Sequence, residues 1–475
     1  AADFGAAVAA GPVWRFAVID LPSFKTNAPA AGSSVNAFLR TGTSIAVGAD
    51  SATPVTYSAV GLPPGMSINP TTGVISGTTT YSSTYPVTVT ARNSEGATTL
   101  SFVIATRPLP AYAVGVFSCA LLLNGEGRLC GTMTLSASSK AALSAKILMG
   151  TLKTTARGSW SNGTTAGSFT AEMTSRLGNT LSLTLGPDGI LTGSYAGATL
   201  IGRIPTTATA LPFYGYYTAL LEPKAVTVAS PSVNNEPKGI GYLTLSVNTK
   251  GVAKYGGLLS DSTKVSGSAS VLVFSGAELN GLGYEGLEPT RRYACVPLYN
   301  RLYSKRGEVN GLVWIDAGQS LASPYDNLVL VEQSFWNYPG RSVLMSGDGF
   351  VASFNAGEDA WALIGGYYAR PQTSLASAYV NAMFEADDEL IPVSASASSL
   401  SLPLGNALNA SLKVKSSSGL ISGKLYVGGT TRASYSGALV PLLKVGGGTY
   451  TVSDPAFLGY RLKRSYPVLI DQPAK

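Results

Sequence analysis

Alternating apolar and polar residues recur along the chain in short hairpin units, and the clearest unit spans residues 411–426. Leu412 and Val414 alternate with polar neighbours, as expected of a strand with one buried face. A polar turn ending at Gly419 then leads into a second apolar run. Similar units surround four further glycines: Gly127, Gly189, Gly251 and Gly307. The first three of these lie 62 residues apart, which predicts repeated β units that bury their apolar faces against neighbours.

The pattern predicts an all-β chain, with an N-terminal β-sandwich and a larger body of repeated antiparallel hairpins. The body is expected to be a sandwich, a barrel or propeller-like, and no amphipathic helix is evident. Predicted segments are an N-terminal extension with one strand (1–23), a sandwich domain (24–108) and three β-repeat sections (111–210, 211–340 and 341–475). Similar aromatic strands mark the sections, at Val116-Phe117, Tyr216-Tyr217 and Tyr367-Tyr368.

The most specific stretch of the sequence lies in the sandwich domain, between Gly61 and Thr78. It reads GLPPGMSINPTTGVISGT, in which Pro63-Pro64-Gly65 and Asn69–Gly73 predict two tight turns before a strand at Val74. This stretch resembles the putative-Ig, cadherin-like repeat of bacterial surface proteins. The resemblance implies an Ig-like sandwich at residues 24–108 that acts as an extracellular spacer or adhesion module without catalysis.

The body resembles, more loosely, repeat regions of large secreted proteins from Planctomycete and Verrucomicrobial bacteria. The resemblance lies in Val296–Tyr299 leading to Gly311–Trp314, and in Leu412–Gly423 leading to Tyr435–Pro441. That family implies no particular function. The body is therefore assigned an architecture from its sequence, but no activity.

Charge is sparse, and histidine is absent from the 475 residues. Only 12% of residues are Asp, Glu, Lys or Arg, about half the usual share, so the surface tolerates close contact with another molecule. Without histidine the commonest general base and Ser-His or Cys-His pairs are excluded, and we expect no enzyme. The net charge of +7 is scattered, which predicts no nucleic-acid partner. The sequence contains no run of 18 apolar residues, so no membrane-spanning helix is predicted.

An apolar strand with no hairpin partner nearby is predicted within the N-terminal extension. Trp14, Phe16 and Val18 would share one face of this strand. It either completes the sheet of the adjacent Ig-like domain or adds to the sheet of another copy of the chain. The chain opens at Ala1 without an initiator methionine, as after removal of a signal peptide, so an extracellular or cell-surface location is expected.

Three cysteines occur, and two of them are candidates for a cross-strand disulfide. If Asn124-Gly125 forms a two-residue hairpin turn, Cys119 lies opposite Cys130. The alternative is that both are small buried hydrophobic residues. Cys295 has no local partner and is expected to be buried.

Two further sets of residues carry candidate chemistry. On a strand, Asp387 and Glu389 would point the same way and offer oxygen atoms to Ca²⁺, or paired carboxylates for glycoside hydrolysis; the alternative is a solvated loop. No other cofactor is indicated. Four tyrosines, if exposed, could stack on sugar rings, although packing between strands is the ordinary explanation: Tyr216, Tyr217, Tyr367 and Tyr368.

Together these features favour a secreted structural protein of the bacterial cell surface. Its partner would be further copies of itself, in an extracellular layer such as an S-layer, a sheath or a filament. The alternative is a surface adhesin or carbohydrate-binding protein that contacts cell-surface glycans.

Overall fold

A computed structural model describes residues 20–124, 127–206, 211–223, 238–305, 307–317, 327–338, 354–356, 361–370, 373–457 and 460–472. Side chains are not described at residues 211, 223, 332–338, 354–356, 453–457 and 460–464. The chain forms two compact units. The first comprises Ala1–Val114 with Ser138–Leu143 and Gly158–Ala171, and the second comprises the remainder.

The N-terminal domain is a sandwich of short strands, which confirms the predicted all-β fold. Its nine strands are β1 (Ser23–Phe24), β2 (Ser34–Phe38), β3 (Thr43–Ala46), β4 (Ala49–Asp50), β5 (Thr56–Val60), β6 (Met66–Ile68), β7 (Val74–Gly77), β8 (Ser83–Arg92) and β9 (Ala97–Arg107). One sheet has the order β2-β9-β8-β5 and the other β3-β7-β6, while β1 pairs with β4. Inward-facing residues such as Ile75, Val89 and Phe102 form the core between them.

The two predicted turns of the Ig-like stretch are present. The first contains Gly65, with a φ of +89°. Gly73 closes the second, with a φ of +70° and its N–H donating to the carbonyl of Asn69 at 2.9 Å. The side chain of Asn69 also accepts hydrogen bonds from the backbone of Thr71 and Thr72, at 2.9 and 3.0 Å. Gly77 has a φ of +141°, and a Cβ there would lie 2.1 Å from the carbonyl oxygen of Gly65. Both positions therefore require glycine.

The first body sheet has nine strands. These are β10 (Gly115–Leu123), β11 (Leu129–Ala137), β12 (Ala142–Met149), β13 (Leu152–Ser159), β14 (Ser161–Asn162), β15 (Phe169–Thr174), β16 (Thr180–Leu185), β17 (Leu191–Tyr195) and β18 (Ala198–Arg203). Their order is β13-β12-β11-β10-β18-β17-β16-β15-β14. Two meanders thus meet at the pairing of the first strand, β10, with the last, β18.

The second body sheet repeats this plan on a larger scale. Its strands are β19 (Gly215–Pro223), β20 (Gly241–Val247), β21 (Val252–Leu258), β22 (Lys264–Ser270), β23 (Leu272–Ser275), β24 (Arg292–Leu302), β25 (Gly307–Asp316), β26 (Leu328–Tyr338), β27 (Phe354–Ala356) and β28 (Trp361–Tyr367). Their order is β22-β21-β20-β19-β28-β26-β25-β24-β23, with β27 beside β26. The first strand again pairs with the last, here Tyr217 with Tyr367.

The third body sheet follows the same rule. The strands of this last section are β29 (Met383–Ala386), β30 (Glu389–Pro392), β31 (Ser394–Ala395), β32 (Leu400–Ser401), β33 (Ser411–Lys415), β34 (Leu420–Val427), β35 (Thr431–Val440), β36 (Val445–Phe457) and β37 (Tyr460–Asp471). The sheet order is β30-β29-β37-β36-β35-β34-β33, and β31 pairs separately with β32. Because β28 belongs to the second sheet, that sheet extends to Tyr367, past the section boundary placed at residue 340.

Helical segments are few and short in the described residues. An α-helix, α1 (Gly276–Gly281), follows β23, and α2 (Leu375–Ala378) precedes the third sheet. Single 3₁₀ turns lie at Ala111–Ala113, Leu211–Phe213, Tyr303–Lys305 and Pro441–Leu443. Ser275 caps α1 through a capping box with Glu278, which accounts for this short helix.

Within the second unit, apolar clusters join neighbouring sheets. Leu129 and Ala120 of the first body sheet pack with Leu312 and Trp314 of the second. Leu220 of the second sheet packs with Ala438 and Val440 of the third. A buried hydrogen bond of 2.6 Å from the hydroxyl of Thr218 to the carbonyl of Leu439 adds a polar contact at this joint.

Candidate functional site

Of the four tyrosines proposed as sugar contacts, Tyr216 and Tyr368 pack where the second body sheet meets the third, and Tyr217 and Tyr367 pack in the core of the second sheet. Tyr217 and Tyr368 are fully buried, and Tyr216 and Tyr367 are partly buried. The rings pair edge to face, with centroids 6.0 Å apart for Tyr216 and Tyr368 and 5.8 Å apart for Tyr217 and Tyr367. The hydroxyls of Tyr216 and Tyr368 donate to backbone carbonyls of the β33–β34 turn.

The glycan-contact prediction is therefore wrong for Tyr217 and Tyr368, because their rings are inaccessible. Burial raises the pKa of the Tyr217 hydroxyl and raises the pKa of Tyr368 to about 12. The ring of Tyr216 is covered by the Arg370 guanidinium and Tyr368, and that of Tyr367 by Tyr217. All four tyrosines therefore hold strands and sheets together.

The acidic pair belongs to a tight hairpin turn. Asp387 and Asp388 have φ values of 49° and 61° and connect β29 to β30, whose flanking residues Ala386 and Glu389 pair directly. Positive φ at both central residues is the type I′ conformation of two-residue hairpins. The premise that Asp387 and Glu389 share one strand face is therefore wrong. Asp387 instead accepts a hydrogen bond from the N–H of Gly428 at 2.8 Å. Among the described residues no three metal-ligating side chains cluster.

The predicted cysteine register is also wrong. Cys119 pairs with Met133 for two reasons: Leu123 bonds Arg128, so the turn is two residues longer than expected, and the ladder shifts by one further residue between Leu121 and Leu122. Cys130 lies at this bulge, and its thiol contacts the carbonyl oxygen of Leu121 at 3.4 Å. No disulfide joins Cys119 to Cys130, and both are buried thiols, as is Cys295. The alternative reading as small hydrophobic residues is the correct one.

The proposed assembly residues Trp14, Phe16 and Val18 lie outside the described residues. The edges of the described sheets, where an added strand would bind, differ in charge. The Ig-like edge strands β2 and β5 have five residues each and carry no charge. Each edge strand of the body sheets either carries a charge, as β13, β22, β30 and β33 do, or has four residues or fewer, as β14 and β23 do.

Charged or very short edge strands discourage pairing with another chain, so β2 and β5 are the edge strands at which a strand of another chain could pair. At β5 the outward N–H of Tyr57 is already bonded to the carbonyl of Pro70 at 2.9 Å. Strand β2 pairs with β9 on one side, and Ser34 and Asn36 are exposed. The most open edge of the Ig-like domain is therefore β2.

A cationic cavity lies in the first body sheet, and sequence reasoning did not find it. It has a volume of about 440 Å³ and is lined by residues of β11, β12 and β13 and of the turn after β15. Lys146, Lys153 and Arg176 contribute cations, and three threonines contribute hydroxyls: Thr132, Thr134 and Thr155. The basic residues are far apart in sequence, so only their proximity in the fold signals the site.

Comparisons with known proteins give weak matches to solved structures. A structure described as a putative α-galactosidase/melibiase from Bacteroides fragilis is 21% identical over 20% of each chain, with a TM-score of 0.17. The match thus spans only a fifth of that protein. Human protocadherin-24 EC1-2 is 11% identical over 39% of this chain and 94% of its own, with a TM-score of 0.16.

A quinonprotein alcohol dehydrogenase-like protein from Bacteroides thetaiotaomicron is 10% identical over 95% of this chain and 98% of its own, with a TM-score of 0.15. Identities and TM-scores this low assign no function. No curated protein matches the chain significantly. In the part of the chain that the structure describes, no helix has the length and apolar character needed to cross a membrane.

A family model identifies the N-terminal domain. The match covers residues 23–107, which are the strands from β1 to β9 and the two glycine turns between them. It confirms the resemblance drawn from the sequence at residues 24–108: this part of the chain is a member of the family described as Putative Ig domain.

Proposed function

We propose that the chain is a secreted structural protein of the cell surface that self-assembles into an extracellular layer, sheath or filament. The observation that carries the proposal is the uncharged, open edge strand β2 of the Ig-like domain, in contrast to the charged or short edges of the body sheets. In the assembly, the apolar segment around Trp14, Phe16 and Val18 of one copy adds a strand beside β2 of the next. The family of the N-terminal domain supports a surface location.

The proposal includes no catalysis. It is supported by the absence of histidine from the sequence and by the position of Asp387 in a tight turn, away from the strand face of Glu389. An extracellular framework protein needs rigidity and contact surfaces rather than a reaction centre.

The test compares the particle size of the purified chain with that of two edge variants. Asn36→Lys places a charge on the exposed edge strand, and Trp14→Asp with Phe16→Asp removes the apolar face of the added segment. We expect the unaltered chain to form large assemblies by light scattering and electron microscopy. Each variant should remain monomeric while its melting temperature is unchanged.

Ser101→Lys is the matched control, since Ser101 is an exposed residue of the central strand β9 in the same sheet. This variant should assemble normally. A monodisperse, monomeric unaltered chain would refute the proposal, and so would normal assembly of Asn36→Lys.

A second function, that of a surface adhesin or carbohydrate-binding protein, is favoured by the cationic cavity of the first body sheet. A cavity with several convergent polar groups is the usual form of a small-ligand site. This function is compatible with assembly, because the cavity and strand β2 involve different residues.

A further inference from the structure

Within the described part of the chain, the three cations of the cavity have no acidic partner. Lys146 on β12, Lys153 on β13 and Arg176 after β15 are exposed, and no carboxylate lines the cavity. Among the described ion pairs none involves these three residues. Three like charges around one concavity repel each other, so an anion bound among them would be stabilised.

Hydroxyl groups share the outer face of these strands with the cations. Thr132 and Thr134 on β11 and Thr155 on β13 alternate with buried residues, so their side chains lie on the face that carries the lysines. Thr154, whose Oγ1 is buried without a partner in the described structure, faces the opposite side of the sheet. The cavity therefore combines three cations with three hydroxyl groups, and both kinds of group bind an anionic, hydroxyl-rich ligand.

We propose that this cavity binds an acidic saccharide, with its sulfate or carboxylate groups among Lys146, Lys153 and Arg176 and its hydroxyls on the threonines. The inference rests on the second proposed function and specifies its ligand. The cavity volume of about 440 Å³ lies within the range of small-ligand sites, roughly 300–1,000 Å³. Leu148 and Leu177 supply apolar contacts for the carbon face of a sugar ring.

Nucleic acid, another polyanion, fits the cavity less well. Proteins that bind single strands stack the bases on aromatic side chains. The residues lining the cavity include no aromatic ring, whereas three of them contribute hydroxyl groups. The chemistry of the lining therefore favours a polyhydroxylated anion over a stacked base.

The direct test is calorimetric titration of the full chain with oligosaccharides of matched length. The probes are a heparin hexasaccharide, with sulfates and carboxylates, a hexagalacturonate, with carboxylates only, and maltohexaose, which is neutral. We expect binding of at least one acidic probe, weakened by added salt, and no binding of maltohexaose. The two acidic probes distinguish sulfate from carboxylate as the recognised group.

Variants locate the binding. Lys146→Gln with Lys153→Gln should reduce the affinity for the acidic probe by about tenfold per lysine. Lys413→Gln with Lys415→Gln makes the same charge change on the distant edge strand β33 and should leave affinity within about twofold.

Equal losses in both lysine pairs would overturn the proposal, since binding would then follow net charge rather than the cavity. Binding of a thymidine hexanucleotide as tight as that of the acidic probe would also overturn it. If maltohexaose binds as well as the acidic probes, the anionic specificity is refuted while the carbohydrate-binding function stands. If no saccharide binds, both are refuted.

Discussion

At the scale of single residues, the backbone at Gly73 determines whether the Ig-like turn can close. Its φ of +70° is unfavourable for a side chain, and a Cβ would lie 3.0–3.2 Å from the ring of Tyr57. We expect Gly73→Val to lower the free energy of unfolding by about 1–3 kcal/mol. Thermal and urea unfolding of the variant would measure this.

The control for that substitution is Gly32→Val, which has a similar φ of +73° but no atom within 4 Å of the added Cβ. It isolates the cost of the backbone conformation from the cost of displacing Tyr57. The interpretation fails if Gly73→Val melts at the same temperature as the unaltered chain.

The sequence predicts the glycine turns well and the roles of the tyrosines poorly. A turn such as Asn69–Gly73 depends on local conformational preferences, which are visible in the residue types themselves. The burial of Tyr217 depends in part on Tyr367 of β28, a strand far away in sequence that pairs beside β19 and brings the two rings together. Alternation reveals that a strand has two faces, but it does not reveal which face a distant element will cover.

At the scale of elements, the length of the β10–β11 turn and the bulge beside it determine the chemistry of two cysteines. Together they place Cys119 opposite Met133 rather than Cys130, and both cysteines remain buried thiols. Burial also raises the pKa of the Cys119 thiol, which disfavours the reactive thiolate. We expect mass spectrometry of non-reduced peptides to find no Cys119–Cys130 link, and alkylation to require unfolding.

Reducing agent provides the accompanying control for the cysteine prediction. If the thiols are not bridged, the melting temperature should be the same with and without reductant. A lower melting temperature in reductant, or a linked peptide pair in its absence, would contradict the register described here.

Strand β12 and helix α1 show which secondary-structure elements the local sequence pattern predicts and which it does not. The alternating residues of β12 (Ala142–Met149) indicate a strand, and the structure has one. Helix α1 was not predicted, although Ser275 and Glu278 form the capping-box pattern three residues apart. The helix has only six residues, too few for a helical period to stand out. The bulge at Cys130 has no comparable local signature.

At the scale of the whole molecule, buried tyrosines predict sensitivity to alkaline pH. Burial raises the pKa of Tyr368 to about 12, and it also raises the pKa of Tyr217, Tyr379 and Tyr435. In the unfolded chain tyrosine titrates near pH 10, so that state loses protons first as the pH rises. Stability should therefore be complete below about pH 10 and decline as the pH rises through the folded-state values.

Melting temperatures across this range, with phenolate absorbance recorded in parallel, would check the expectation. Tyr368→Phe should melt lower at neutral pH, because it loses a hydrogen bond of 2.7 Å to Ser416, but its alkaline decline should be shallower. Tyr81→Phe, at an exposed position, should change neither. An alkaline decline that is the same in Tyr368→Phe as in the unaltered chain would rule out this tyrosine as a contributor.

The fold class and the Ig-like domain could be predicted because they depend on periodicity and on local turn chemistry. The cationic cavity could not, since Lys146, Lys153 and Arg176 belong to different strands and turns. Nothing in their spacing distinguishes them from other solvated cations. The section boundary at 340 was misplaced for a related reason: the aromatic pair Tyr367-Tyr368 resembles the start of a section, although Tyr367 ends the strand that closes one.

The pairing of first strand with last in each body sheet has a consequence for how the chain folds. Strand β10 pairs with β18, β19 with β28, and β29 with β37, so each of these pairs can form only after its whole section has been synthesised. Contacts of such large sequence separation close slowly, because the loop entropy is lost before the contacts are gained. Until the last strand arrives, the first exposes an unpaired edge, so each section passes through an interval in which it is prone to aggregate.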